Sequence, residues 1–420
     1  MSLRIALSWG GLLSLTRVVL GFISAKVSAV YLGPGGMALV GQLTNFIDML
    51  SGGISNAPTT AVVTHTSRNQ NDNESIARLW GTAMRLLLAI GLAVALIAAG
   101  MAQQISSWLF DSTDYWLIIA MVGFCLLLAN ADSLVVGILN GLGQVKLISQ
   151  IAILSTIVGS AIFVALAYSF GLWGGLAGIL CLYSVKLPIS LIAALRSGLI
   201  TLRAIATRFD MKTAKEIVAF YPMLLLHAIA VPLSLIAIRT AVARNLDYEV
   251  AGFVQATWRL SDMYCGVLIS VLGIYFIAHY SRQPTKSAQM TALWRVMLQM
   301  LALTGLMAAG IYMFRDFIIP IVLTREFLPM RELLPMQLSG DVLKMAGYPL
   351  QMALSAQRRV GAYALVALLG PGLYVLLVYL WLPTNDFTVV PVAYTYSYGL
   401  VLLSLLFFQR KVLFRGSREV

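Results

Sequence analysis

Residues 48–68 read DMLSGGISNAPTTAVVTHTSR, and residues 262–282 read DMYCGVLISVLGIYFIAHYSR. Placed one above the other, Asp48 meets Asp262, Met49 meets Met263 and Gly52 meets Gly266. His65 then meets His279, Ser67 and Arg68 meet Ser281 and Arg282, and Leu79-Trp80 meets Leu293-Trp294. Apolar bias supplies chance matches of Leu or Met. It does not readily put two of only three histidines in register. The chain is therefore read as two copies of one plan.

The surroundings of the repeat set its solvent. The chain is 60% hydrophobic and 11% charged, against about 25% charged for soluble domains, and its mean hydropathy is +0.86. Segments of about 20 apolar residues are long enough to cross a bilayer as helices. Twelve are expected, near 8–32, 37–63, 78–102, 116–140, 147–170, 174–196, 217–242, 250–278, 290–314, 332–355, 360–382 and 389–408. YLGPGG (31–36) reads as a turn between the first two. Each half then holds an even number of helices, so the halves are parallel, related by an axis along the membrane normal. The expected divisions are a lobe at 1–198, a linker at 199–216, a second lobe at 217–410 and a tail at 411–420. The linker contains TLRAIATRFDMKTAKE, a basic stretch suited to a helix lying on a membrane surface. Met1 to Trp9 leads straight into the first apolar segment without a small-residue cleavage pattern, so no cleavable signal peptide is expected.

Net charge is +12, but its placement points to topology and not to nucleic acid. Of 29 Lys and Arg, only Arg244, Arg315, Arg325 and Arg331 fall outside if the N-terminus is inside. Eight lie within spans and the remaining 17 fall on the inner side. This is the usual cytoplasmic excess, and it puts both termini in the cytoplasm. Cys125, Cys181 and Cys265 are scattered through apolar segments with neither metal nor disulfide spacing. No Walker A pattern is present, and LGPGG and GLWGGLAG read as a turn and a small-residue packing face.

The charges inside the spans carry the functional signal. They are Arg17, Lys26, Arg85, Lys186, Arg239, Arg259, Arg295 and Lys344, against Asp48, Asp132, Asp262 and Asp341. Each costs roughly 2.5–3.5 kcal/mol at a helix centre on insertion scales, so such residues face water or one another. Arg239 and Arg295 lie near span ends and are expected to snorkel. Arg259 with Asp262, and Asp341 with Lys344, sit three apart on one helix face and can neutralise each other. The others have no opposite charge at helical spacing. A surplus of cations suits an anionic cargo, since Arg offers a planar fork to phosphate and Lys a point charge. The acids offer sites for H⁺ or Na⁺. Trp9, Trp258, Tyr264 and Tyr348 could stack on sugars, although packing explains each as well.

AVYLGPGGMALVGQ (29–42), FDSTDYW (110–116) and above all REFLPMRELLPMQLSGDVLKMAGYPLQMALSAQRRVGAY (325–363) resemble the Wzx flippases of the MOP exporter superfamily, particularly the enterobacterial-common-antigen type. The resemblance implies an all-α integral membrane protein of twelve transmembrane helices in two parallel six-helix bundles around a V-shaped cavity. It implies a flippase moving undecaprenyl-pyrophosphate-linked oligosaccharide across the bacterial inner membrane by alternating access. Such a protein is expected to need no cofactor beyond H⁺ or Na⁺ coupling, to work as a monomer, and to have membrane lipids, a polysaccharide polymerase and a chain-length regulator as partners, not nucleic acid. In the family's pattern, bases of the first and third helices and Asp of the second and tenth line the cavity. Here these fall on Arg17, Lys26, Arg85, Asp48 and Asp341. Lys186, Arg259 and Lys344 join them from the charge argument alone, as do Asp132 and Asp262. The rivals are a multidrug exporter of the same fold, whose sites are usually lined by acids, and a membrane-embedded polymerase or ligase, which would need a sizeable periplasmic loop.

Overall fold

The computed structural model describes residues 3–68, 72–201, 205, 207–281, 283, 285–357, 359–384 and 386–413. These residues are helical almost throughout. In order they form α1 (Leu3–Arg68), α2 (Asn73–Gly100), α3 (Ala102–Phe110), α4 (Trp116–Gly141), α5 (Val145–Ser184), α6 (Lys186–Arg196), α7 (Met211–Val218) and α8 (Tyr221–Asn245). There follow α9 (Tyr248–Ser281), α10 (Lys286–Met313), α11 (Arg315–Val322), a 3₁₀ segment (Arg325–Glu332), α12 (Leu334–Ala356), α13 (Val360–Trp381) and α14 (Val389–Leu413).

Two of these helices are double. α1 breaks at Gly33, whose φ of 65° is a left-handed conformation, and α5 breaks at Gly171 with φ 56°. A side chain at either would be strained. LGPGG is thus the predicted break, and the Gly-rich GLWGG follows the second one. Eight helical stretches are apolar and long enough to cross a membrane. Two of them, Gly11–Arg68 and Val145–Arg196, are double-length, so they supply two spans each. α9 and α12 are also long enough to cross, but they fall outside that apolar set. The chain is a multi-pass membrane protein. α12 is not among the apolar eight because Gln337, Asp341, Lys344 and Gln351 interrupt its run.

The chain divides into two compact units. The first holds residues 1–32 and 39–236, the second 33–38 and 237–420. In the first, Ile54, Trp80, Leu134, Ile138, Ile151 and Ile217 belong to one buried cluster. Trp80, a member of the internal repeat, donates its indole N–H to Thr66 Oγ1 at 3.0 Å. α2 packs along α4, where Gly123 lets the helices close: a Cβ there would lie 2.6 Å from Ala95 Cα. In the second unit α12 is central, packed on α9, α10 and α14. Caps fix several starts. The Asp72 carboxylate accepts from Ser75 N–H at 3.0 Å, and Thr285 Oγ1 accepts from Ala288 N–H at 3.1 Å, each satisfying one of the orphan donors of a first turn.

Candidate functional site

In the first unit a cavity of about 440 Å³ opens beside α1. Its lining follows from helix geometry. Asp48, Ser51, Gly52, Ser55 and Asn56 recur at intervals of three and four and so form one stripe of α1. Ser133 of α4 and the apolar Ala228, Val231 and Pro232 of α8 complete the wall. A Cβ on Gly52 would lie 3.2 Å from Ala228 Cβ, so the glycine lets α8 approach. Asp48, exposed at the wall, accepts a hydrogen bond from the Tyr183 hydroxyl. Lys186, half-buried one turn further on, places Nζ 4.6 Å from the centre of the Tyr183 ring. Its charge reaches both Asp48 and Asp132. Asp132 is only 9% exposed, and its Oδ1 is buried with no hydrogen-bond partner. Beside it on α4, Asn130 Oδ1 accepts from Ser51 Oγ at 3.0 Å.

The second unit holds a drier cluster. Asp341 is fully buried on α12. It accepts from Tyr264 Oη at 2.7 Å, Tyr394 Oη at 2.8 Å and Gln337 Nε2 at 3.5 Å. An ionised carboxylate is acceptor-only, and two phenols with an amide suit it. Tyr394 reaches Asp341 because residue 340 is glycine: a Cβ there would stand 2.3 Å from Tyr394 Cδ1. From Tyr394 the aromatic chain runs on. Its ring lies 4.7 Å from Tyr398 and 5.4 Å from Tyr374, and Tyr374 Oη accepts from Trp258 Nε1 at 3.1 Å. Arg239 lies against Trp258, 5.3 Å from the ring, and donates to Gln255. Lys344 is half-buried, with Nζ 5.5 Å from the Tyr398 ring centre and its charge in reach of Asp262 and Asp341.

The structure thus groups Asp48, Asp132 and Lys186 in one unit and Asp262, Asp341 and Lys344 in the other. Arg17 and Arg85 are exposed and Lys26 is half-buried; none of the three lines the cavity beside α1. Arg259 is half-buried, Asp262 exposed and Arg295 exposed. Arg239 corrects an expectation. It does not snorkel but is 1% exposed, because α9 covers it with Gln255 and Trp258. Trp258 and Tyr264 are buried core members. His227 and His279 have side chains outside the described set. Sequence reasoning missed Ser51, Ser55, Asn56, Tyr183, Tyr394 and Tyr398. The stripe DMLSGGISN and the i, i+4 pair in YTYSY were the legible signals.

Residues 34–332 match the model of the family described as polysaccharide biosynthesis protein, well over half of the chain. The chain belongs to that family. Two curated relatives, the Lipid III flippases of Escherichia coli K12 and Shigella flexneri, are each 26% identical over 356 residues, which is 83% of this chain and 84% of theirs. This member of the polysaccharide biosynthesis protein family also shares its fold with solved transporters. The lipid II flippase MurJ, in an inward closed conformation, matches with TM-score 0.74 and 12% identity, covering 97% of this chain and 90% of MurJ. An inward-facing multidrug resistance MATE transporter of the MOP superfamily matches with TM-score 0.72 and 14% identity over 100% of both chains. At these identities the likeness establishes the MOP-superfamily fold.

Proposed function

We propose that this protein is a flippase for a lipid-linked oligosaccharide, carrying an undecaprenyl-pyrophosphate-linked repeat unit from the cytoplasmic to the periplasmic leaflet of a bacterial inner membrane. The observation that carries this reading is the 26% identity to the Lipid III flippases along 83% of the chain. Charged clusters kept inside apolar helices support it, since a purely structural bundle has no use for them. The anionic end of the cargo meets the surplus of cations, with Arg17, Lys26 and Arg85 as first contacts and Lys186, Arg259 and Lys344 beyond them. Both termini are cytoplasmic in this reading, from the basic asymmetry. Movement is coupled to H⁺ or Na⁺ through Asp48 and Asp132. Asp48 lines the cavity of about 440 Å³ with a cation beside it, which lets it exchange an ion when Lys186 moves. A polymerase and a chain-length regulator would receive the product outside.

The test is complementation. The chain is expressed in Escherichia coli lacking its Lipid III flippase, and the corresponding surface polysaccharide is measured. Its return supports the reading, and its loss in Arg17→Ala, Lys26→Ala and Arg85→Ala variants that still reach the membrane supports the cation roles. Failure to restore polysaccharide, together with ethidium efflux from the same cells, overturns it in favour of a drug exporter.

A further inference from the structure

A different part of the molecule carries a surface that transport chemistry does not use. α7 lies between α6, which ends at Arg196, and α8, which starts at Tyr221. Both flanking helices belong to membrane spans, so α7 sits at a membrane face. Its eight residues are about 12 Å long, too short to cross.

The strap carrying α7 is fastened to α2. Thr207 Oγ1 donates to Ala77 C=O, and Asp210 N–H donates to Thr82 Oγ1 at 3.1 Å. Gly81 permits this crossing, because a Cβ there would stand 2.2 Å from Thr207 Oγ1. The Asp210 carboxylate caps α7 through Thr213 N–H at 2.8 Å. Ala214 and Ile217 face the protein, 4% and 0% exposed, and Ile217 joins the core cluster around Trp80. The remainder of the helix is therefore held outward in a fixed orientation.

That outward surface has two chemistries side by side. Phe209, Met211 and Val218 are 42%, 63% and 50% exposed. At 100° per residue, Met211 and Val218 lie on one edge of α7, and Lys215 and then Lys212 follow round it. Arg208, Lys212 and Lys215 are all exposed. The nearby acids are largely committed: Glu74 pairs with Arg78 at 3.8 Å, and Asp210 is occupied as the cap. Among the described residues 207–218, Glu216 is the one carboxylate left to oppose the three bases.

We propose that residues 208–218 form a docking surface for anionic phospholipid, with Phe209, Met211 and Val218 entering the interface and Arg208, Lys212 and Lys215 gathering acidic headgroups. A neutral bilayer would satisfy the apolar edge but not the bases; a soluble acidic protein would satisfy the bases but not the apolar edge. Each base near an anionic surface strengthens attraction to that surface about five-fold. The surface holds whatever the cargo is, since it depends only on α7 lying at the membrane.

The experiment uses the full chain in nanodiscs of phosphatidylcholine with a minority of phosphatidylglycerol. Headgroup photoreactive analogues of each lipid are added in turn, and crosslinks to residues 207–218 are mapped by mass spectrometry. The phosphatidylglycerol analogue is expected to label this segment several-fold above its mole fraction. The variant Arg208→Gln/Lys212→Gln/Lys215→Gln, which keeps the Asp210 cap and the Ala214 and Ile217 contacts, is expected to label in proportion to mole fraction. Hydrogen exchange of the α7 amides verifies that the helix persists in it. Equal labelling by both lipids in the parent, an excess that survives the triple variant, or no labelling by either lipid overturns the proposal.

Discussion

Replacing Gly340 by alanine tests the Asp341 cluster with a single methyl group. The new Cβ would stand 2.3 Å from Tyr394 Cδ1, 2.7 Å from Cε1 and 3.2 Å from Thr395 Cα. Carbon atoms rest about 3.5–4.0 Å apart, so the ring must move by more than an ångström. It has little room, being 6% exposed with Tyr374 and Tyr398 against it. Overpacking of this kind costs about 1–3 kcal/mol. Displacing the ring also takes Tyr394 Oη away from Asp341 Oδ1, a hydrogen bond to a charged group worth about 1.5–3 kcal/mol. Alanine itself favours a helix interior over glycine by about 1 kcal/mol. The net expectation is a destabilisation of about 1.5–5 kcal/mol. Gly310→Ala on α10 is the control, since nothing lies within 4 Å of its Cβ; it should be neutral or stabilising. Thermal unfolding of the purified variants in detergent provides the assay, in a cycle with Tyr394→Phe. The hydrogen bond can be lost only once, so the two changes together should cost less than their sum. Gly340→Ala as stable as the parent, or strict additivity with Tyr394→Phe, would refute the latch.

Other expectations follow from the same geometry. Lys186→Gln leaves Asp48 and Asp132 without the cation that reaches both, so it should lower folded yield, and adding Asp132→Asn should recover part of it; a yield unchanged by Lys186→Gln would remove that cation from the account. In proteoliposomes with an imposed pH or sodium gradient, Asp48→Asn should lose gradient-driven flipping; rates indifferent to both gradients and to the substitution would leave lipid mass action as the driver. Cysteine at Ser112 should label from the periplasmic side and cysteine at Lys212 only after the inner membrane is opened, and the reverse pattern would invert the topology. The Asp210 carboxyl is held below the ordinary carboxylate value first by the Thr213 hydroxyl and then by its amide. A depressed folded pKa gives stability that is complete above the unfolded value of about 4 and is lost as pH falls through the lower folded value. Hydrogen exchange at the start of α7, corrected for intrinsic rate, should therefore be flat from pH 8 to 5 and rise only below about 4.

The sequence by itself determined the solvent and where the first long helix breaks. A run of apolar residues needs no partner to declare itself insoluble in water, and glycine in LGPGG announces a break because only it accepts φ near 65° at no cost. The charged residues were equally visible, since a base in an apolar run stands out wherever it packs. Their surroundings were not. Asp341 and Lys344 sit three apart in the chain, yet the carboxylate is met by phenols from α9 and α14, 77 and 53 residues away. Lys186 is drawn into reach of acids on α1 and α4 because α1, α4 and α6 converge inside one unit. Arg239 near a helix end looked able to reach water and was instead covered by α9. Periodicity reports which face of a helix a residue occupies; what covers that face is fixed by helix packing at contacts such as Gly52 with Ala228 and Gly340 with Tyr394. Those contacts join distant segments, and no local pattern encodes the distance between them.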